Sequence, residues 1–416
     1  MSQNSLFTDD VAFSRTRNLT ITWMPTREAG LARLRNFLPA AGSAYARTRN
    51  TDFGPENRSN VSALSPWLAR RMITEEEVVK AVLAQHSFVA AEKFIQEVFW
   101  RTYWKGWLEL RPDVLVSFND DRLKLKDALL SDRHLTKRLQ TATEGATGID
   151  CFDAWVEELR ELGWLHNHAR MWFASIWIFT LKLPWQLGAD FFYKHLLDAD
   201  AASNTLSWRW VAGLHTKGKH YLARASNIRD HSGGRFDPRG QLSESAMPLT
   251  QDYVTPGPIG LAAPQFPQSD RVGLLLTEDD LHPASWCIGA HPIAGASFAL
   301  PPVGDATGPR AAFSAGALDD ARARARVDFG FDVVATTSVD EVVKWAKTLG
   351  VTEIVTAHAP VGLIAWSLKD IAAALKKEGI DLIRVRREWD SRAWPLATGG
   401  FFKLKEKLPQ LISAMI

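Results

Sequence analysis

The stretch Gly163–Trp210 contains two apolar helical runs with polar groups in a few fixed places. Five of these residues have side chains that can form ion pairs or amide hydrogen bonds: Asn167, Arg170, Asp198, Asp200 and Asn204. A buried guanidinium is tolerated only when it is paired and hydrogen-bonded, and the two aspartates are the nearest acidic groups on the following segment. Residues 198–204 are too polar for a core helix. We therefore predict that Arg170 pairs with these aspartates in the wall of a pocket.

A loop of small polar residues, 58–68, contains Ser62 and Ser65, and Pro66 follows. Proline fits the first turn of a helix, and the free N–H groups at such a turn bind phosphate well. The two hydroxyls would add hydrogen bonds to a pyrophosphate. A capped surface helix without a ligand would need the same residues, so the loop alone leaves both interpretations open.

Trp100, Trp104 and Trp107 are spaced at i, i+4 and i+7, so they share one face of a helix. Such an aromatic stripe is more often core than binding site. Glu97 lies one turn before Trp100, however, and Arg101 follows it directly. An acid and an indole one turn apart would face the same cavity.

The elements that carry these residues are predicted to be helices. Trp164–Leu183 contains no glycine or proline, so it can continue as one buried helix until Pro184 disturbs it. Apolar residues at helical spacing also predict a helix within 23–50 and one or two helices within 74–110.

The pattern changes after residue 235. Pro, Gly, Ser and Gln dominate 236–269, which predicts a linker or a strap on the surface. Short apolar segments then alternate with helical ones, which predicts an open α/β sheet. The predicted strands are Val272–Thr277, Val333–Ala335, Glu353–Thr356 and Asp381–Val385, and the predicted helices are Val339–Leu349 and Leu363–Lys377.

Composition excludes several classes of protein. No apolar run reaches eighteen residues without a break, and the start of the chain lacks a signal-peptide pattern, so we predict a cytoplasmic protein without membrane contact. We also expect a monomer. A net charge of +2 means that any DNA contact must come from a local patch. Cys151 and Cys287 fall short of the four thiolates of an iron–sulfur cluster. No metal site is predicted either, because the HNH letters at 166–168 begin an apolar helical run instead of a ββα unit.

The central stretch resembles the FAD-binding domain of the DNA photolyase/cryptochrome family. It keeps the order GW-h-HN-x-x-RM…W…D-x-D-x-x-x-N-x-x-x-W-x-W, where h is apolar. The resemblance extends upstream through Tyr45-x-x-x-Arg49-Asn50, the loop Val61–Trp67 and Glu97–Arg101. It implies a multidomain α + α/β protein: a helical FAD-binding domain (1–235), a linker (236–269) and a Rossmann-like open α/β domain (270–416).

The resemblance also implies site residues. Those matching the family's FAD contacts are Tyr45, Ser62, Leu64, Ser65, Arg101, Asn167, Arg170, Asp198, Asp200 and Asn204. Those matching the side of the pocket that takes the DNA lesion are Glu97, Trp100, Asn167, Met171 and Trp210. Enzymes for the 6-4 photoproduct carry His where Asn167 and Met171 stand, so these two favour the cyclobutane dimer. Trp208 and Trp185 match the inner and middle members of the family's electron-transfer chain, and Trp177 is predicted to replace the outer member.

The implied function is light-driven repair of cyclobutane pyrimidine dimers in UV-damaged DNA, single-stranded or duplex, by electron transfer from reduced FAD to a flipped-out dimer. Gly273–His282 and Ala393–Lys407 resemble the start and the exit of the family's antenna domain. That domain comes first in the family and would come last here, with a second chromophore whose identity the sequence leaves open. The alternative is a blue-light receptor that binds FAD but signals. His168 favours this alternative, because it replaces the arginine that grips a DNA phosphate in the family.

Overall fold

The computed structural model describes residues 23–216, 218–251, 253–286, 288–299 and 308–416. Cys287 lies outside these ranges, so the prediction that it joins no cluster is not addressed by the structure. Helices make up the regular structure of the described chain as far as residue 231. They are α1 (Arg27–Phe37), α2 (Ser43–Thr48), α3 (Ser65–Ala69), α4 (Glu75–Leu83), α5 (Phe88–Glu109), α6 (Asp113–Leu129), α7 (Arg133–Glu144), α8 (Asp150–Leu162), α9 (Asn167–Ser175), α10 (Trp185–His195), α11 (Ala201–Ala212) and α12 (Ala225–His231).

The central helix starts later than the sequence predicts. α9 begins at Asn167 instead of Trp164, and it continues through the π-helical turn Ile176–Thr180. Gly163 is the reason for the late start. Its left-handed backbone (φ 66°) ends α8, so the chain must turn back before a new helix can form.

The upstream helices also differ in detail from the prediction. The helix predicted within 23–50 is split, because α1 passes into the 3-10 turn Leu38–Ala40 and α2 starts at Ser43. The segment 74–110 forms two helices, as the sequence allows. Thr74 caps α4 and Ser87 caps α5, and both side chains accept a backbone N–H of the first turn.

A parallel five-stranded sheet follows, in the order β3-β2-β1-β4-β5. Its strands are β1 (Val272–Leu276), β2 (Ile293–Ala299), β3 (Val333–Thr336), β4 (Glu353–Ala357) and β5 (Asp381–Val385). The helices of this part are α13 (Pro309–Phe329), α14 (Val339–Leu349), α15 (Leu363–Lys377), α16 (Glu388–Ala393), α17 (Phe401–Lys405) and α18 (Leu408–Met415). The four predicted strands and the two predicted helices are confirmed. The prediction missed β2, whose small residues IAGASFA have weak strand propensity.

The described residues of 236–269 form neither helix nor strand, and they run along both parts of the molecule. Leu249 N–H donates to the carbonyl of Ala212 at 2.9 Å, and Ile259 N–H donates to that of Leu110 at 2.9 Å. Farther on, Arg386 binds the carbonyl of Ala262 at 3.0 Å. This segment is therefore a strap on the surface.

The end of the chain packs against α5. The indole N–H of Trp389 donates to Thr102 Oγ1 at 2.9 Å, and Arg71 pairs with the buried Asp390 at 2.5 Å. A side chain at Gly106 would come within 2.8 Å of the Cα of Trp394, so only glycine permits this approach. The helix that carries Glu97 and Trp100 is thereby fixed against the α/β part.

Among the helices of the described ranges, none combines the length and the hydropathy that a membrane span requires.

Candidate functional site

A cavity of about 550 Å³ opens among the helices. The loop 61–65 and the helices α5, α9 and α11 supply most of its wall. Fifteen of the predicted site residues line it together: Tyr45, Ser62, Leu64, Ser65, Glu97, Trp100, Arg101, Asn167, Arg170, Met171, Asp198, Asp200, Asn204, Trp208 and Trp210. Trp177 and Trp185 do not reach it.

Two arginine–aspartate pairs hold one wall. Arg170 makes a double hydrogen bond to Asp198, at 3.1 and 2.9 Å, and its Nε donates to the carbonyl of Leu165 at 2.9 Å. Arg101 pairs with Asp200. Burial raises the pKa of Asp198, but the guanidinium of Arg170 and then that of Arg101 bring it below the usual value. The predicted ion pair between Arg170 and Asp198 is present, while Asp200 pairs with Arg101, which also lies 4.0 Å from Asp198.

The loop 61–65 turns its carbonyl groups toward one side chain. The guanidinium of Arg33 donates to the carbonyls of Ser62 at 2.7 Å, Val61 at 2.9 Å and Arg58 at 3.1 Å. Ala63 adopts the left-handed backbone (φ 50°), which is uncommon outside glycine. Within the described residues, the N–H groups of Ser62, Ala63 and Leu64 have no acceptor. Donors of this kind at a turn bind anions.

Four further side-chain polar atoms of the cavity wall are buried without a partner among the described residues: Glu75 Oε1, His166 Nε2, Ser203 Oγ and Trp208 Nε1. Burial lowers the pKa of His166 to about 4. Its Nδ1 accepts the N–H of His168 at 3.1 Å, so in the neutral ring the proton lies on Nε2. A buried donor with no acceptor is costly. A ligand in the cavity would supply the acceptor.

Glu97 and its ion-pair partner Arg49 both line the cavity. Its carboxylate pairs with Nη1 of Arg49 at 2.5 Å, and both side chains are partly exposed. Burial raises the pKa of Glu97, and the charge of Arg49 opposes that rise. The sequence contains a signal for this pair, because Arg49, the C-cap of α2, follows Tyr45 by four residues and both side chains line the cavity.

The two indole walls each have one covered face. Trp100 stacks on Phe401 with ring centroids 3.8 Å apart and planes 13° apart. Trp210 stacks on Tyr221 at 5.9 Å and 25°. Phe401 is distant in sequence and no local pattern points to it. Both indoles line the cavity, where an aromatic ring can contact a flat ligand.

The predicted order of the electron-transfer tryptophans is partly wrong. Trp177 is fully buried and meets Trp208 edge-on, with centroids 6.1 Å apart. Gly188 permits this contact, because a Cβ there would lie 2.3 and 2.9 Å from the two rings. Trp185 instead packs against Phe118 at 5.3 Å. Trp177 therefore cannot be the outer, solvent-facing member.

A cavity with anion-binding N–H groups, arginine–aspartate pairs and flat aromatic walls has the features of a binding site for a nucleotide cofactor. Residues 94–254 match the model of the FAD-binding domain of DNA photolyase. Over these residues the chain is similar to the FAD-binding domain of the DNA photolyases.

Similar proteins match about half of the chain. A deoxyribodipyrimidine photo-lyase of Vibrio cholerae is 27% identical over 241 residues, which are 57% of this chain and 50% of that protein. The one of Streptomyces griseus is 33% identical over 187 residues, 45% of this chain and 39% of that protein. A bacterial class III photolyase structure from Agrobacterium tumefaciens is 27% identical, with a TM-score of 0.42, and covers 53% of this chain and 47% of its own. The chain spans about half the length of the curated relatives that it matches.

The cavity residues fit FAD. The free N–H groups of Ser62, Ala63 and Leu64 suit a pyrophosphate, and the unpartnered Ser203 Oγ and His166 Nε2 suit polar atoms of a nucleotide. The cavity also has the size that is usual for a cofactor of this class.

Proposed function

We propose that this protein binds FAD in the cavity and uses light to split cyclobutane pyrimidine dimers in DNA. The observation that carries the proposal is the meeting of two residue sets in one cavity. One set suits a nucleotide cofactor, and the other is Glu97, Trp100, Asn167, Met171 and Trp210. The names of the similar proteins, deoxyribodipyrimidine photo-lyases, support the same reaction.

The cofactor would be held by charge and backbone donors. The loop N–H groups, fixed by Arg33, would bind the pyrophosphate, with Ser62, Leu64 and Ser65 around it. The pairs Arg170–Asp198 and Arg101–Asp200 give the wall a fixed shape, because each guanidinium is already oriented. Tyr45 and Asn204 complete the proposed cofactor set. Nδ2 of Asn204 donates to the carbonyl of Ala189 at 2.8 Å, which fixes its amide in one orientation.

The dimer would enter between the indoles. Trp100 and Trp210 exclude water and offer apolar faces to two unstacked bases, while Asn167 and Met171 border them. Glu97 would hydrogen-bond the polar edge of the dimer. When bound, reduced FAD supplies the electron that light moves to the dimer and takes it back after the ring opens. The chain's own contribution is binding, orientation and electrostatic stabilisation.

We also propose the route by which the flavin is kept reduced. Trp208 lines the cavity and contacts Trp177, so an electron can reach the flavin through these two rings. Trp185 stays in the proposal as a further relay, since it follows Pro184, whose carbonyl accepts the Trp177 indole N–H at 2.9 Å.

The domain limits 1–235, 236–269 and 270–416 stay part of the proposal, as does the assignment of the last unit to an antenna domain in swapped order. A second chromophore in that unit, a monomeric state and a cytoplasmic location are expectations of the same kind. UV-damaged DNA is the proposed partner.

The test is illumination of the reduced, FAD-loaded protein with an oligonucleotide that contains one cyclobutane dimer. Loss of the lesion in light, and none in the dark, is the expected result. The receptor alternative predicts a flavin that responds to light while the dimer stays intact.

A further inference from the structure

The segment Thr398–Lys407 lies against the outer side of the Trp100 wall, and we call it the rim segment. Tyr103 OH donates to the carbonyl of Gly399 at 2.9 Å, and Arg111 donates to that of Thr398 at 2.7 Å. Phe401 is buried against Trp100. The rim segment is thus a fixed part of the molecule beside the proposed lesion pocket.

The outer face of the rim segment combines an aromatic ring with positive charge. Phe402 is 72% exposed, and Lys403 and Lys407 are exposed beside it. Lys405 makes a long ion pair, 3.4 Å, with Glu92 at the start of α5. Glu406 is the acidic residue of the segment. With Glu92 counted, three lysines stand against two glutamates, so the rim segment has a small local excess of positive charge, carried by Lys403 and Lys407, which form no ion pair among the described residues.

Aromatic rings connect this outer face to the cavity. Trp104 packs on Trp100 at 5.3 Å, Trp100 stacks on Phe401 at 3.8 Å, and Phe401 meets Phe402 at 6.3 Å. The series begins in the cavity wall and ends at a ring in solvent. An exposed phenylalanine among lysines is the combination that single-stranded nucleic acid binds, through stacking and phosphate contacts.

We propose that the rim segment binds the DNA strand that flanks the dimer. Lys403 and Lys407 would contact phosphates, and Phe402 would stack on a base left unpaired when the dimer leaves the helix. The inference rests on the proposed function. It adds a DNA contact from the end of the chain, outside residues 94–254, which match the model of the FAD-binding domain.

Two variants test the rim segment: Phe402→Ala, and Lys403→Gln with Lys407→Gln. Matched controls are Val327→Ala, which removes an 85% exposed side chain on α13, and Lys377→Gln on α15. Neither control residue lines the cavity. Fluorescence anisotropy of the FAD-loaded protein gives Kd for a labelled single strand with one dimer, at several salt concentrations.

We expect Phe402→Ala to raise Kd roughly tenfold, within the range measured for base stacking. The double lysine variant should reduce the slope of log K against log salt by about 1.4, or about 0.7 for each phosphate contact. The controls should match the wild type, and flavin content should be the same throughout. An unchanged Kd and slope in both variants would overturn the proposal, even if the wild type splits dimers. Absence of DNA binding by the wild type would overturn it as well. Failure of the proposed function is a different result, in which the wild type binds the dimer but does not split it in light.

Discussion

Nη1 of Arg49 lies 2.5 Å from the carboxylate of Glu97, and both groups line the cavity. The pair brings an acid with a raised pKa and a permanent positive charge to one place. A carboxyl group can hydrogen-bond the dimer, and the guanidinium can stabilise negative charge that develops next to it. Glu97, which was predicted alone, can therefore act on a bound dimer together with Arg49.

Arg33→Met should raise the Kd of the apoprotein for FAD at least tenfold. The side chain binds the carbonyls of Arg58, Val61 and Ser62, and without it the backbone that carries the N–H groups of Ser62 and Ala63 loses these fixed bonds. Isothermal titration with FAD and with riboflavin, which has no pyrophosphate, separates this effect from general damage. Riboflavin affinity should not change.

Arg35→Met is the matched control, since Arg35 lies on the same helix and its exposed side chain pairs with Glu28. Equal loss of FAD and riboflavin affinity in Arg33→Met would show that the residue only supports folding.

Asp200→Ser should lose most of the bound flavin. Serine keeps the N-cap of α11, where Asp200 now accepts the N–H of Ser203 at 2.7 Å. The substitution removes only the charge that faces Arg101. The ratio of flavin to protein after gel filtration measures the effect. Asp190→Ser, which breaks the surface pairs with Arg122 and Lys126, is the control. A full flavin complement in Asp200→Ser would contradict this role.

Stability should fall as the pH drops from about 6.5 toward 4, and His166 should account for part of the loss. Burial lowers its folded-state pKa to about 4, so between these values the unfolded chain binds a proton that the folded chain does not. The stabilisation is complete above pH 6.5 and is lost on the way to pH 4, by up to about 3 kcal/mol. Urea titrations at each pH give the slope.

His166→Asn keeps a side chain that can cap α9 and should flatten this slope. His134→Asn, at an exposed site on α7, should leave it as in the wild type. If both variants keep the wild-type slope, His166 does not titrate as proposed.

The sequence predicts a helix, a strand or a site residue well when the interactions that determine it lie within a few neighbouring residues. α14 and α15 follow their predicted limits, because the apolar spacing, the Ser338 cap and Gly350 act within a few residues. β2 was missed, since its small residues form a strand only between two neighbours that the chain supplies elsewhere. The site residues are predicted from the sequence pattern by which the chain resembles the photolyase/cryptochrome family. Arg33 and Phe401 act through tertiary contacts, so no local sequence pattern predicts their part in the site.

His168 should weaken duplex binding. Its Nδ1 contacts the carbonyl of Asn50 at 2.7 Å, its ring stacks on Trp172 at 4.4 Å, and burial lowers its pKa, so it is neutral at pH 7. Flipping a dimer out of a duplex costs a few kcal/mol, and a neutral residue offsets little of that cost. Single-stranded substrate should therefore bind at least as well as duplex.

His168→Arg should improve duplex binding, while His134→Arg adds the same charge at a remote exposed site and should change little. The measurement is the Kd of each protein for duplex and for single-stranded substrate at physiological salt. A tenfold preference of the wild type for duplex would count against the argument.

The quantum yield of dimer splitting, measured for the fully reduced wild type and for Glu97→Ala at saturating single-stranded substrate, tests the central claim most directly. Glu28→Ala, at a 73% exposed side chain, is the control. We predict splitting by the wild type and the control. We predict a clearly lower yield in Glu97→Ala with FAD still bound, because the lost stabilisation is worth roughly 2–4 kcal/mol in comparable sites. Equal yields in wild type and Glu97→Ala would remove Glu97 from the reaction, and no splitting by the reduced wild type would contradict the proposed function.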